Sequence, residues 1–143
     1  MKKRVLILCT GNSCRSIIAE ALINHRLGDK WIACSAGVEP SKVNPRAIEV
    51  MSEIGIDISS SRSKSVDEFL IRDDLDLVIT VCDHARETCP VFPSKVKQIH
   101  LGFEDPAPFT DEIDEIALPK FREVRDDIAE RLIRMLKDEK ISD

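Results

Sequence analysis

No apolar run in the 143-residue chain approaches the ~20 residues that a helix needs to cross a bilayer. The apolar stretch that follows the basic N-terminus is also too short for a secretory signal peptide. Internal repeats, low-complexity tracts and linkers are absent from the sequence. We therefore expect a single domain over residues 1–143 that functions in the cytoplasm, without a membrane partner.

An excess of basic charge is lacking as well, since 21 lysines and arginines face 26 acidic residues and give a net charge of −5. This balance argues against a nucleic-acid partner. The apolar and charged fractions, 43% and 33%, exclude a disordered chain. No apolar stripe exceeds what a core requires, so a monomer is expected. Residues 1–16 contain no acidic side chain, which favours an anion near the N-terminus.

Short apolar runs alternate with helical patterns along the chain. The runs predict strands at residues 5–8, 31–34, 75–81 and 96–101. Asn44 and Pro45 have the types expected at a helix N-cap and first turn, and an apolar stripe over residues 121–136 predicts a long C-terminal helix. The acidic segment 110–118 is expected to be a solvated loop. This alternation predicts an α/β fold, a three-layer α/β/α arrangement around a four-stranded parallel sheet.

Several polar and thiol-bearing residues directly follow predicted strands. Cys9, Ser35 and Cys82 do so, and so does the segment after Leu101. Parallel sheets bind ligands beyond the carboxyl ends of their strands. We therefore expect these residues to share one edge of the sheet.

The first of these strand ends carries a Cys-x5-Arg motif before a helical pattern. Gly11 permits close backbone approach, and successive N–H groups of such a turn can form an anion nest. The helix N-terminus and the Arg15 guanidinium add positive charge, which binds a tetrahedral oxyanion and favours a thiolate at Cys9. The residues expected to bind the oxyanion are Thr10, Gly11, Asn12, Ser13, Cys14, Arg15 and Ser16. The lysine that ends a Walker-type loop is missing, so metal-free chemistry is expected.

A second pair of thiols, Cys82 and Cys89, is separated by six residues. A thiolate that only displaces phosphate esters does not need them. A two-electron reduction of an oxyanion does, because it consumes two thiols and leaves a disulfide. The spacing of Cys82, His84 and Cys89 is not a convincing set of zinc ligands. Cys14 and Cys34 are expected to have packing roles.

The segment Cys9–Ser16 resembles the phosphate-binding loop of the low-molecular-weight protein tyrosine phosphatase superfamily. With Cys82, Cys89 and the pair Asp105-Pro106, the chain is similar to the thioredoxin-coupled arsenate reductases of that superfamily. The likeness covers nearly the whole chain. It includes residues 35–37, 44–45, 57–59 and 102–106.

The resemblance implies a catalytic order for three cysteines. Cys9 attacks arsenate, Arg15 binds the oxyanion and Asp105 supplies the proton for the leaving oxygen. Cys82 then attacks the Cys9 sulfur, arsenite leaves and a transient Cys9–Cys82 disulfide forms. Attack by Cys89 moves the disulfide to Cys82–Cys89, which thioredoxin reduces. We further expect the segment 82–95 to be helical when reduced and looped out when oxidised.

The resemblance also implies a potassium ion beneath the loop, at positions that match Asn12, Glu20 and Ser35. The later part of that site differs here, because Arg62, Ser63 and Lys64 stand where relatives usually carry Thr-Ser-Asp. An ammonium group cannot ligate a cation, although Lys64 can replace one by pairing with Glu20. No other cofactor is expected.

Two other functions fit parts of the sequence. A phosphotyrosine phosphatase would use the same loop and leave Cys82 and Cys89 incidental, although the chain has no tyrosine, one tryptophan and five phenylalanines for the aromatic walls of such a site. Residual phosphatase activity is expected in either case. A non-catalytic oxyanion-binding or redox-sensing module would form disulfides reversibly without turnover.

Overall fold

Four apolar runs form a parallel sheet in the part of the chain that the computed structural model describes, residues 2–90, 92 and 96–138. The strands are β1 (Lys3–Cys9), β2 (Trp31–Gly37), β3 (Leu77–Thr80) and β4 (Lys97–His100). The helices are α1 (Arg15–Arg26), α2 (Pro45–Ser52), α3 (Asp83–Thr88) and α4 (Asp114–Lys137). Short 3₁₀ helices occupy Val66–Phe69 and Ala107–Phe109. The predicted α/β/α fold with a four-stranded parallel sheet is confirmed.

The strand order β2-β1-β3-β4 reverses direction between β1 and β3. The crossover from β1 leads outward to β2, whereas the chain from β2 returns past β1 to β3. Such a reversal opens a crevice at the carboxyl ends of the two central strands, where open α/β sheets bind their ligands. β1 supplies the centre of the core, with Val5, Leu6, Ile7 and Leu8 fully buried.

Strand lengths differ from the predicted ones for local reasons. β2 continues three residues beyond residue 34, because Ser35, Ala36 and Gly37 pair with Ile7, Leu8 and Cys9. β3 and β4 are each shorter than predicted, four residues long. A Cβ atom on Gly37 would lie 2.6 Å from the Thr10 carbonyl oxygen, so only glycine lets the loop after β1 pack on the end of β2.

The helix boundaries confirm one prediction and correct another. The Asn44 side chain accepts a hydrogen bond from the Arg46 N–H and caps α2, as its type predicts. The prediction of a loop over residues 110–118 is wrong from Asp114 onward, where α4 begins. Acidic side chains are favourable at a helix N-terminus, and the Arg46 guanidinium binds the Asp114 carboxylate at 2.6 Å. Those acidic residues therefore start a helix.

Within residues 2–90, 92 and 96–138, no helix is both long enough and apolar enough to cross a membrane.

Candidate active site

The loop between β1 and α1 turns its carbonyl groups outward. Backbone N–H groups of the segment 38–44 donate at 2.8–3.2 Å to the carbonyl oxygens of Cys9, Thr10, Gly11 and Ser13. Because a trans peptide is planar, the N–H of each following residue points the opposite way. The N–H groups of residues 10, 11, 12 and 14 are thereby directed to the interior of the loop. This is the arrangement of an anion nest at a helix N-terminus.

A hydrogen-bonded chain of side chains leads to the Cys9 sulfur. Asn12, at φ 48°, accepts at Oδ1 from the Lys64 N–H at 2.8 Å and donates from Nδ2 to Ser16 Oγ at 2.7 Å. Ser16 Oγ lies 2.9 Å from Cys9 Sγ. Since Ser16 Oγ already accepts from Asn12, its hydroxyl hydrogen is available to a Cys9 thiolate. Both Asn12 and Ser16 are fully buried, so water does not compete for these bonds.

The Arg15 side chain lies between the loop and the segment that carries Asp105. Its Nη1 donates to the Phe103 carbonyl oxygen at 3.1 Å, and its Nη2 lies 3.6 Å from Asp105 Oδ2. Asp105 Oδ1 accepts from the Ala107 N–H at 3.0 Å, which orients the carboxylate. The Arg131 guanidinium stacks 4.7 Å from the centroid of the Phe103 ring. A cation and a carboxyl group therefore meet at the mouth of the loop.

Cys82 lies beside the loop, across the point where the strand order reverses. The hydrogen bond from the Val81 N–H to the Leu8 carbonyl oxygen aligns the end of β3 with the end of β1. Cys82 Sγ lies 3.2 Å from Thr10 Oγ1 and accepts from the Ala85 N–H at 3.4 Å as the N-cap of α3. The buried Cys82 sulfur thus contacts both a hydroxyl of the loop and an N–H group at a helix N-terminus.

Cys89 lies at the other end of α3 and is only half buried. Seven residues of helical rise separate it from Cys82, about 10 Å, whereas the Cα atoms of a disulfide lie ~4.4–6.8 Å apart. Burial raises the pKa of the Cys89 thiol above its ordinary value. A bond between Cys82 and Cys89 therefore requires α3 to unwind. Residues 91 and 93–95, part of the segment predicted to move, lie outside the described residues.

The two remaining thiols differ in their surroundings. Cys14 is buried in the core, and burial strongly raises the pKa of its thiol, ahead of the smaller effects of Cys9 and Asp105. Cys34 lies on β2, where it is half buried and packs against the edge of the core, which agrees with its expected packing role. It borders a cavity of about 390 Å³, and the alternation of side chains along the edge strand β2 directs it there.

The residues beneath the loop do not fit a potassium ion. Glu20 Oε1 accepts from Ser35 Oγ at 2.7 Å, and the Lys64 ammonium lies 3.9 Å from the same oxygen. Asn12 Oδ1 is occupied by the Lys64 N–H. Throughout the described ranges, no buried side-chain nitrogen or oxygen lacks a hydrogen-bond partner. Oxygens that a cation would need are thus already used, and an ammonium group neutralises Glu20.

Several residues that shape the loop were not identified from the sequence. Ser63 Oγ donates to the Gly11 carbonyl oxygen at 2.7 Å, and Ser41 Oγ lies 3.4 Å from the same atom. The Phe103 carbonyl and the Arg131 side chain position the segment before Asp105. These contacts join distant parts of the chain, and no local pattern of residue types signals them.

Comparisons with known proteins agree with this geometry. The sequence matches the low molecular weight phosphotyrosine protein phosphatase family over residues 4–142. An arsenate reductase of Halalkalibacterium halodurans is 47% identical over 131 residues, which cover 92% of this chain and 93% of that protein.

Solved structures give the same result at the level of the fold. A low molecular weight protein tyrosine phosphatase from T. tengcongensis has a TM-score of 0.75 and 30% identity, covering 96% of this chain and 99% of the other. A thioredoxin-dependent arsenate reductase of Corynebacterium glutamicum has a TM-score of 0.69 and 30% identity, covering 99% of this chain and 64% of the other.

Proposed function

The chain belongs to the low molecular weight phosphotyrosine protein phosphatase family, and from this premise we propose that it reduces arsenate to arsenite with three cysteines. The position of Cys82 carries the proposal. Its sulfur is 3.2 Å from the hydroxyl of Thr10, the residue that follows Cys9 in the loop. A phosphatase has no use for a second thiol at that point, whereas an oxyanion reductase requires one.

The first half of the reaction takes place in the loop. The Cys9 thiolate attacks arsenic in a nest of N–H groups with Arg15 over the oxyanion, and an As–O bond breaks as an As–S bond forms. Asp105 gives a proton to the departing oxygen, which leaves as water. The hydroxyl of Ser16, 2.9 Å from the Cys9 sulfur, stabilises the thiolate before attack.

The second half moves two electrons to arsenic. The Cys82 thiolate attacks the Cys9 sulfur, the electron pair of the S–As bond stays on arsenic, and arsenite leaves as As(III). Cys89 then attacks the Cys82 sulfur and releases Cys9 as a thiolate, with the disulfide now joining Cys82 and Cys89. The dithiol of thioredoxin reduces this disulfide, which returns the two electrons. The last attack has to wait until α3 opens, because the folded helix holds Cys82 and Cys89 at its opposite ends.

The partners follow from this chemistry. Thioredoxin supplies the electrons, as it does for the arsenate reductase of Corynebacterium glutamicum that shares this fold. We place the enzyme in the cytoplasm, where thiols are kept reduced, and propose that it acts as a single-domain monomer.

Phosphate-ester hydrolysis is the second candidate function, because the loop, Arg15 and Asp105 are sufficient for it. The phosphatase of T. tengcongensis with the same fold favours it. We expect it as a side activity of the same Cys9 thiolate, independent of Cys82 and Cys89.

The Cys82→Ser variant tests the proposal. With arsenate, thioredoxin, thioredoxin reductase and NADPH, wild-type protein should consume NADPH continuously, and Cys82→Ser should lose multiple turnover. Hydrolysis of an aryl phosphate should stay within about threefold of wild type in this variant, whereas Cys9→Ser should lose both activities. Cys34→Ser, a thiol outside the relay, is the matched control. Sustained arsenate-dependent NADPH consumption by Cys82→Ser would refute the relay.

A further inference from the structure

The N-terminal end of α3 is anchored to two neighbouring parts of the fold. His84 Nε2 lies 2.7 Å from Glu39 Oε2, in the segment after β2. Asp83 Oδ1 lies 3.3 Å from His100 Nε2 at the end of β4, and the His100 Nδ1 lies 2.9 Å from Thr80 Oγ1. The contact between His84 and Glu39 is a hydrogen bond when the imidazole carries one proton and an ion pair when it carries two.

The C-terminal end of α3 has weaker anchors. Cys89 Sγ lies 3.5 Å from the Pro90 carbonyl oxygen and 3.9 Å from Gln98 Oε1. The Thr88 hydroxyl bonds back to the His84 carbonyl oxygen, inside the helix itself. A six-residue helix has little stability of its own, so its anchors decide whether it stays folded. A disulfide between Cys82 and Cys89 closes a ring that contains His84, and the folded helix holds the two cysteines too far apart to close it.

A cavity of about 430 Å³ borders α3 on the side of this contact. Glu39 and His84 line it, and so do Thr88 and Pro90, the neighbours of Cys89 along the chain. The space lets the unwound segment move without displacing core side chains. The cavity thus provides space for α3 to unwind, and it lies beside the Glu39–His84 contact that keeps α3 folded.

We propose that the Glu39–His84 pair holds α3 in the dithiol form and thereby raises the reduction potential of the Cys82–Cys89 couple. This inference rests on the proposed three-cysteine relay. The couple takes up two electrons and two protons as its S–S bond breaks into two thiols. An interaction made only in the folded dithiol form stabilises that form, which makes the disulfide more oxidising and easier for thioredoxin to reduce. Glu39 and His84 are positioning residues, since neither touches a reacting sulfur.

Redox titration of the full-length protein in glutathione buffers tests the proposal. The fraction of Cys82–Cys89 disulfide is measured by alkylation and mass spectrometry. His84→Gln and Glu39→Gln should each lower the equilibrium constant for reduction about threefold, because exposed pairs of this kind contribute ~0.2–1 kcal/mol. That change corresponds to a redox midpoint ~14 mV more negative, since a tenfold change in the equilibrium constant of a two-electron couple equals ~30 mV. The double variant should shift no further than either single one.

Glu87→Gln is the matched control, an identical substitution at an exposed carboxylate on the same helix. It should keep the wild-type midpoint. Aryl-phosphate hydrolysis should stay at wild-type values in all variants, because the Glu39 N–H that bonds the Thr10 carbonyl oxygen belongs to the backbone and is kept in Glu39→Gln. The thermal midpoint of the reduced variants should fall by no more than about 3 °C, as expected for the loss of one exposed pair. An unchanged or more positive redox midpoint in His84→Gln and Glu39→Gln overturns the inference alone. If wild-type protein forms no Cys82–Cys89 disulfide at any buffer ratio, the relay itself is overturned as well.

Discussion

At the scale of single residues, the site depends on side chains that orient other side chains. Asn12 adopts a backbone conformation that L-residues rarely occupy, and asparagine is among the few that tolerate it. Its amide is fixed by the Lys64 N–H, so its own donor must point at Ser16. The reactivity of Cys9 therefore depends on the side-chain amide of Asn12, which acts through Ser16.

Asn12→Gly separates the role of this amide from that of the backbone. Glycine keeps the positive φ without strain but removes the donor to Ser16. We expect kcat/KM for arsenate to fall about ten- to a hundredfold, because a hydrogen bond that supports a charged group contributes ~1.5–3 kcal/mol. Asn12→Asp keeps the acceptor for Lys64 but lacks the donor, and it should lose activity to a similar degree. Wild-type kinetics in either variant would contradict the role given to this chain of hydrogen bonds.

Lys64 leads to a second prediction at this scale. Because its ammonium group already neutralises Glu20, initial rates in potassium chloride and in sodium chloride should be equal at the same ionic strength. Lys64→Ala removes the ammonium charge beside Glu20, and potassium should then bind this carboxylate and raise the thermal midpoint of the variant. Stimulation of the wild-type enzyme by potassium would show that the ion binds despite the lysine.

At the scale of secondary-structure elements, the proposed relay requires α3 to unwind. It begins at Cys82 and ends before Cys89, so its length keeps the two sulfurs apart. The strands that present Cys9 and Cys82 are buried in the centre of the sheet and cannot shift in the same way. The movement that the proposed relay requires is thus assigned to one short helix.

Hydrogen exchange measures this movement directly. The Arg86 N–H donates to the Cys82 carbonyl oxygen at 3.1 Å in the folded helix. In protein oxidised to the Cys82–Cys89 disulfide, amides of residues 86–88 should exchange at least about tenfold faster than in reduced protein. Amides in α1 serve as the internal reference and should be unaffected. Equal protection of α3 in both redox forms would show that the helix does not unwind.

At the scale of the whole molecule, stability away from the site comes from the contact between α2 and α4. Arg125 is buried, donates to the Val50 carbonyl oxygen at 2.9 Å and binds Glu53 at 2.9 Å. Arg122 binds the same carboxylate at 2.7 Å. These bonds hold the long helix α4 against the end of α2, far from the three cysteines. Changes there should affect stability without affecting the chemistry.

The pH dependence of unfolding tests that contact. Hydrogen bonds from Arg122, and then from Arg125, hold the pKa of Glu53 below its ordinary value of 4.5. The stabilisation is therefore complete above the unfolded-state pKa and is lost as pH falls through the lower folded-state pKa. Urea unfolding should show wild type more stable than Glu53→Gln at pH 7, with a difference that shrinks below about pH 4.5.

Glu123→Gln, at an exposed carboxylate of α4, is the control. Its free energy of unfolding should equal that of wild type across the same pH range. If the difference in unfolding free energy between wild type and Glu53→Gln grows as the pH falls, the pKa of Glu53 is not lowered by folding.

Much of this protein was determined by its sequence. Apolar runs that alternate with helical patterns specify the parallel sheet with its helices, because the spacing of buried side chains in a strand and in a helix is set by nearby residues. The Cys-x5-Arg spacing specifies the loop, because the strand before it, the tight turn within it and the helix after it are all encoded by residues close together in the sequence. Asn44 caps α2 for the same reason. The acidic residues of the segment 110–118 misled the prediction, because the Arg46 bonds that hold this region come from another element.

Only the tertiary structure decided how distant residues meet. The strand order brings Cys82 to Thr10, the packing of Gly37 shapes the loop, and Lys64 reaches both Asn12 and Glu20. The contact between Glu39 and His84 spans 45 positions of sequence. Such contacts depend on how the connections between strands run and how the elements pack, and the conformational preferences of neighbouring residues do not determine them. The sequence therefore defines which groups can react, and the fold determines which of them are close enough to do so.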